Sequence, residues 1–157
     1  ERRAAGGGRL EEHESLGEGG GGDRGMKVVV GKEVACGACH RVAAQGGNVG
    51  PDLTTIGAVP SVRDLLESIV APSSTFAQGY ENYVVLMSDG RVASGLIVRQ
   101  SAETLLLQSA SGQEQRFHED HIEELTRQST SIMPDGLDQK LTRAQLRDLL
   151  AYLKSLK

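Results

Sequence analysis

Five consecutive residues, Cys36-Gly37-Ala38-Cys39-His40, use both cysteines of the chain and one of its four histidines. Two thiols two residues apart can reach the two vinyl groups on one edge of a haem and bond to it as thioethers. The adjacent His40 can then bring an imidazole nitrogen to the iron. Other chemistries compete for the same residues. A Cys36–Cys39 disulfide of the redox-enzyme kind uses the thiols but leaves His40 without a role, and the thioredoxin-like βαβ context is missing. A zinc site needs a fourth ligand and usually a second Cys pair, yet only His13, His118 and His121 remain. A chance pattern with no cofactor is the last alternative. Covalent haem c is the chemistry that employs all three side chains.

The rest of the composition narrows the partners. A chain of 157 residues and 16.7 kDa has room for one domain or two small ones and excludes a large multidomain enzyme. Apolar residues make up 38% and charged residues 24%, so a core is available. It must come from Leu, Val and Ile, because Trp is absent and there are three Tyr and two Phe. Aromatic cages and stacking platforms are not expected. The net charge is -4, and no basic run is long enough to track a phosphate backbone, so nucleic acid is not an expected partner. No stretch approaches the roughly 18 apolar residues of a membrane span. The chain begins at Glu1 rather than Met, so the lack of a visible export signal carries no weight.

The motif needs a frame. Residues 1–22 are rich in Gly, Glu and Arg with almost no large apolar side chain, which reads as a flexible linker that cannot offset its ordering entropy by burial. A helix is expected from Asp23, as N-cap, to about Val34, with Gly31 leaving its end uncertain. A second starts at Ser61 and presents Leu65, Leu66, Ile69 and Val70 on one face before Pro72 stops it. A third runs from about Arg143 to Leu156, with Thr142 and Gln145 spaced as a capping box and Leu146, Leu149, Leu150 and Leu153 as a stripe. Between the second and third helices the character changes. Tyr80–Leu86 and Arg91–Val98 flank the Asp89-Gly90 turn, and Gly95 suits a bend or bulge. Thr104–Gln108 and Gln113–His118 flank Ser111-Gly112. The expectation is a mainly α fold, with three or more helices around a haem, interrupted by a small antiparallel β-sheet. The haem domain takes residues 23–75 and 128–157, and the β subdomain 76–127.

Cys36–His40, then Gly50-Pro51-Asp52-Leu53, then Ser131-Ile132-Met133-Pro134 before a final amphipathic helix together resemble a class I c-type cytochrome. More narrowly, the stretch from about Gly22 to Lys157 resembles the haem-binding C-terminal domain of Pirellula and Verrucomicrobium type, found on large periplasmic dehydrogenase-like proteins. The distinguishing piece is the β segment around Asp89-Gly90-Arg91 and Gly95. The resemblance implies that the Pro51 carbonyl accepts from His40 Nδ1–H, that Leu53 packs on the haem face, and that Met133 is the sixth ligand. Met26 and Met87 fit that role less well, lying in a helix and at a strand end; His118 and His121 are the alternative ligands. His118 and His121 otherwise read as solvated strand-end residues, and Arg41 as a propionate partner or an ordinary surface residue. A close crossing of the first and last helices is implied at Gly25 and Tyr152. The aromatic common four residues after that Gly is here Val29.

The function that follows is a mono-haem c-type cytochrome domain. It passes single electrons from a fused or separate periplasmic dehydrogenase to an acceptor and is not itself an enzyme. With His40 and Met133 saturating both axial positions, peroxidase and oxidase chemistry are disfavoured. Thioether attachment implies a periplasmic or otherwise extracytoplasmic location. Two other functions remain open. One is a haem-based gas or redox sensor from which Met133 dissociates. The other is a docking or homodimerisation module built on the β insert, with Tyr80 and Tyr83 as anchors and the haem secondary.

Overall fold

The computed structural model describes residues 2–16 and 19–157. Among them are five α-helices, α1 (Arg2–His13), α2 (Gly22–Val30), α3 (Cys36–Cys39), α4 (Val62–Val70) and α5 (Arg143–Ser155). Two short strands, β1 (Arg41–Val42) and β2 (Gln45–Gly46), form a hairpin. Five more, β3 (Asn82–Met87), β4 (Val92–Gln100), β5 (Thr104–Gln108), β6 (Glu114–His118) and β7 (Ile122–Arg127), form one antiparallel sheet.

Local chemistry sets the helix ends. Ser61 accepts from the Asp64 N–H at 3.1 Å while Asp64 accepts back from the Ser61 N–H at 2.8 Å, closing a capping box that starts α4. Thr142 and Gln145 do the same for α5, at 3.2 and 2.8 Å. Leu146, Leu149, Leu150 and Leu153 of α5 are buried against Val29 of α2 and Leu65, Leu66, Ile69 and Val70 of α4. At about 1.5–3 kcal/mol for each fully buried leucine, this stripe is the main attachment of the last helix. The two helices α2 and α5 cross at Gly25, where a Cβ would strike the Asp148 carbonyl and lie 2.6 Å from Tyr152 Cβ. Only glycine permits that approach. Beside the crossing, Arg24 holds Asp148 with two bonds of 2.7 and 2.9 Å, and Asp148 also accepts from the Gly21 N–H at 2.6 Å.

The sheet has the order β6-β5-β4-β3-β7, so the last strand returns beside the first. Asp89-Gly90 makes the β3–β4 turn, with Gly90 at φ 87°. A register shift between Ile97 and Arg99 kinks β4, and at Gly95 the β5 backbone comes so near that a Cβ would strike the Gln108 carbonyl. Val85, Met87, Leu105, Leu107 and Phe117 bury against one another, with Ala93, Ile97, Ile122 and Leu125 around them. The sheet therefore has a core of its own, made of strand residues and separate from the helical cluster.

Three expectations are corrected. The fold is not mainly α: a five-stranded antiparallel sheet with its own core, plus the β1–β2 hairpin, makes it sheet-rich. The two hairpins are joined into one sheet by β4–β5 pairing, Leu96 with Gln108 and Ile97 with Leu107, and β7, which reads weakly from sequence, adds a fifth strand by pairing Val84 with Thr126 and Val85 with Leu125. The second correction concerns 1–22, expected as a linker. It contains α1, whose Leu10 is buried in the helical core and whose Arg9 reaches the 135–138 segment. Leu10, Arg9 and His13 supply the anchorage that the glycine content disguises, and Arg143 donates to the Glu12 carbonyl at 3.0 Å. Third, Asp23 lies inside the first turn of α2 rather than at its N-cap, which is Gly21, because Asp148 fixes the Gly21 N–H.

Candidate cofactor-binding site

The Cys-x-x-Cys-His segment is a single helical turn entered through Ala35 in the left-handed region, φ 49°. The turn closes with the His40 N–H donating to the Cys36 carbonyl at 2.9 Å, after which His40 is extended, at φ −107° and ψ 138°. Both thiols are unbridged. The following chain folds back on the turn through the β1–β2 hairpin. Gly47 N–H donates to the Gly37 carbonyl at 2.9 Å and Gly50 N–H to the Cys39 carbonyl at 2.8 Å.

That fold-back delivers Pro51 to the histidine. His40 Nδ1 lies 2.7 Å from the Pro51 carbonyl. A carbonyl can only accept, so Nδ1 carries a proton, and Nε2 is the ring nitrogen left to donate a lone pair to a metal when the ring is neutral. Gly50 lies against the imidazole, and a Cβ there would fall 2.5 to 2.9 Å from three ring atoms. The ring is thus fixed in tautomer and orientation, as a metal-bound histidine requires. Nearby, the Thr54 hydroxyl and N–H, then the charge of Arg41, hold the Asp52 carboxyl below its usual range. Thr54 Oγ1 accepts from the Ala43 N–H at 2.8 Å, bracing the hairpin.

Cys36, Cys39, His40, Pro51, Leu53 and Met133 all line one cavity of about 290 Å³. Among the described residues no Asp, Glu, Lys or Arg lines it. Of the three methionines only Met133 is on this wall; Met26 is exposed and Met87 belongs to the sheet core. The Met133 loop is secured locally: Ser131 N–H donates to Ser73 Oγ just after α4, and Met133 N–H donates to Ser131 Oγ, at 2.9 and 3.1 Å. His118 and His121 are exposed, 6.0 Å apart between ring centroids, and lie off the cavity wall. Arg41 is exposed and also off it.

Sequence reasoning passed over part of this wall. Phe76, Tyr80 and Ala110, on the segments flanking or connecting the strands, line the cavity beside the helical residues. Buried Gln108 donates to Asn48 Oδ1 at 3.1 Å, linking the sheet to the loop after β2. No pattern in the sequence pairs residues 60 apart; the Ser131-x-Met133 turn was the one accessible signal.

The donors discriminate between chemistries. Burial, foremost, pushes the Cys36 thiol above its ordinary pKa, and the neighbouring Cys39 adds to the effect. A reactive redox dithiol needs the opposite, a stabilised thiolate. Among the described residues no three His, Cys, Asp or Glu side chains are grouped to hold a bare metal ion. A haem brings four ring nitrogens and asks the protein for only two axial donors, and an uncharged wall suits its apolar faces. Two thiols on one turn, an oriented imidazole and a thioether on the same wall fit that group. Among the described residues no helix is long and apolar enough to cross a membrane. No protein-family model matches the chain, and none of the curated proteins matches it.

Proposed function

We propose that this chain is a mono-haem c-type electron-transfer protein, with haem c attached through Cys36 and Cys39 and with His40 and Met133 as axial ligands. The observation that carries the reading is the His40–Pro51 bond of 2.7 Å, which leaves Nε2 as the free donor on a cavity wall that also holds both thiols and Met133. Bound there, the haem supplies a one-electron ferric–ferrous couple. The chain's own work is to hold and tune. Pro51 fixes the imidazole and raises its basicity. Ser131 and Ser73 hold the Met133 backbone. Leu53 and the uncharged wall exclude water, which favours the less charged state of the site. Held by His40 and Met133, the group would have a higher potential than one held by two imidazoles, which suits a carrier fed by a dehydrogenase. The donor is a fused or separate dehydrogenase, the acceptor a second redox protein, and the compartment extracytoplasmic.

The test is a reductive titration of protein purified from a host that matures c-type cytochromes. One electron per chain, with a weak far-red band in the ferric form that disappears in Met133→Ala, supports the reading. A protein with no reducible chromophore overturns it. Rapid carbon monoxide binding to the reduced wild type would instead point to a gas sensor.

A further inference from the structure

Met133 sits on a loop that α1 ties down from more than a hundred residues away in sequence. Arg9 donates from Nη1 to Asp138 Oδ1 at 2.9 Å, and from Nη2 to Asp135 Oδ1 at 2.8 Å and to the Val70 carbonyl at 3.0 Å. Asp135 and Asp138 follow Met133 directly on the loop, and Val70 is the last residue of α4, whose Leu65 and Ile69 line the cavity. One guanidinium therefore fastens the Met133 loop to the helix across the cavity wall. Leu10, the next residue, is buried in the same cluster as Leu137.

Asp138 makes the connection conditional. Its side chain is 1% exposed. The basic groups bonded to it are Arg9 and His13, the latter with Nε2 3.3 Å from Oδ2, and both lie on α1. A buried carboxylate whose partner is removed is strongly destabilised, and it recovers by reaching water. Asp138 reaches water when the contact between α1 and the 135–138 segment opens, which releases the segment that carries Met133 from its tie to α1.

We propose that Arg9 is a positioning residue for Met133: through Asp135 and Asp138, α1 clamps the 131–138 loop in the closed form that keeps the thioether on the cavity wall. The consequence at iron rests on the haem reading; the clamp does not.

Amide hydrogen exchange on the full chain, with and without haem, tests it. Arg9→Gln is expected to speed exchange over 131–138 roughly tenfold or more while α5 and the sheet keep wild-type rates. In haem-loaded protein the same variant weakens the far-red methionine band and raises the affinity for added imidazole by a similar factor. Arg9→Lys, which keeps charge but loses the fork, falls between. Arg9→Gln combined with Asp138→Asn recovers protection, because no charge is left buried. Wild-type exchange over 131–138 in Arg9→Gln overturns the clamp, and so does an equal rise in α5, which would mark a general loss of stability. A chain that takes up no haem defeats the haem reading, and exchange in the unloaded protein still decides the clamp.

Discussion

The thiols, the imidazole and the thioether each carry a consequence that can be measured one residue at a time. Burial holds Cys36 protonated, so in unloaded protein at neutral pH it should be alkylated by iodoacetamide well below the rate of an ordinary exposed thiol. Fast alkylation would restore the redox-dithiol alternative. Met133→His should retain the covalent haem and lower the reduction potential by on the order of 0.1 V or more, within the roughly 0.8 V that axial ligands span. An unchanged potential, read by redox titration, would show that Met133 is not a ligand. At this scale the sequence was most informative where neighbours in sequence do the chemistry. The Cys36–His40 turn and the Pro51 carbonyl lie within about a dozen residues of each other, and the Met133 N–H is held by Ser131 two residues earlier. The bonds from Ser73 to Ser131 and from Asn48 to Gln108 join distant segments, and residue types alone do not announce them.

Among the elements, α4 and α5 were legible because each begins with a side chain that satisfies free N–H groups and continues with an apolar stripe. Helix α1 was hidden by its glycines, and β7 by the adjacent Glu123 and Glu124, which mask the Ile122 and Leu125 that face the sheet core. The α2–α5 crossing supplies two predictions. Gly25→Ala drives a methyl into the Asp148 carbonyl and should cost about 1–3 kcal/mol in urea unfolding; a neutral result would mean the helices are not in contact there. Asp148 is held below the usual carboxylate range by the Arg24 side chain first and by the Gly21 N–H second. A carboxylate with a lowered folded value contributes stability above its unfolded value, near 3.9, and loses it as pH falls through the folded one. The crossing should therefore weaken only below about pH 4, and Asp148→Asn should flatten that limb of the thermal-midpoint profile. Asp148→Asn with the wild-type acid limb intact would assign the acid sensitivity elsewhere.

For the whole molecule, the helical core faces the cavity and the segments around the sheet complete its wall. The helical cluster supplies Leu65, Ile69 and Leu149 to the wall, and the segments bordering and linking the strands supply Phe76, Tyr80 and Ala110. The mainly α expectation failed because the small sheet it allowed is larger and more self-contained: β4–β5 pairing joins the hairpins, β7 adds a fifth strand on β3, and the five strands bury an interior of their own. Non-local pairing of that kind leaves little trace in periodicity. With Phe76, Tyr80 and Ala110 on the wall, the sheet unit helps enclose the site. The central claim is covalent attachment through Cys36 and Cys39, and the most direct measurement is the intact mass of protein matured in a competent host, denatured and extracted with acidified organic solvent. A mass raised by one haem in the wild type, and no retained haem in the Cys36→Ala, Cys39→Ala double variant, is the expected result. A wild-type protein that emerges at the mass of the bare polypeptide contradicts it.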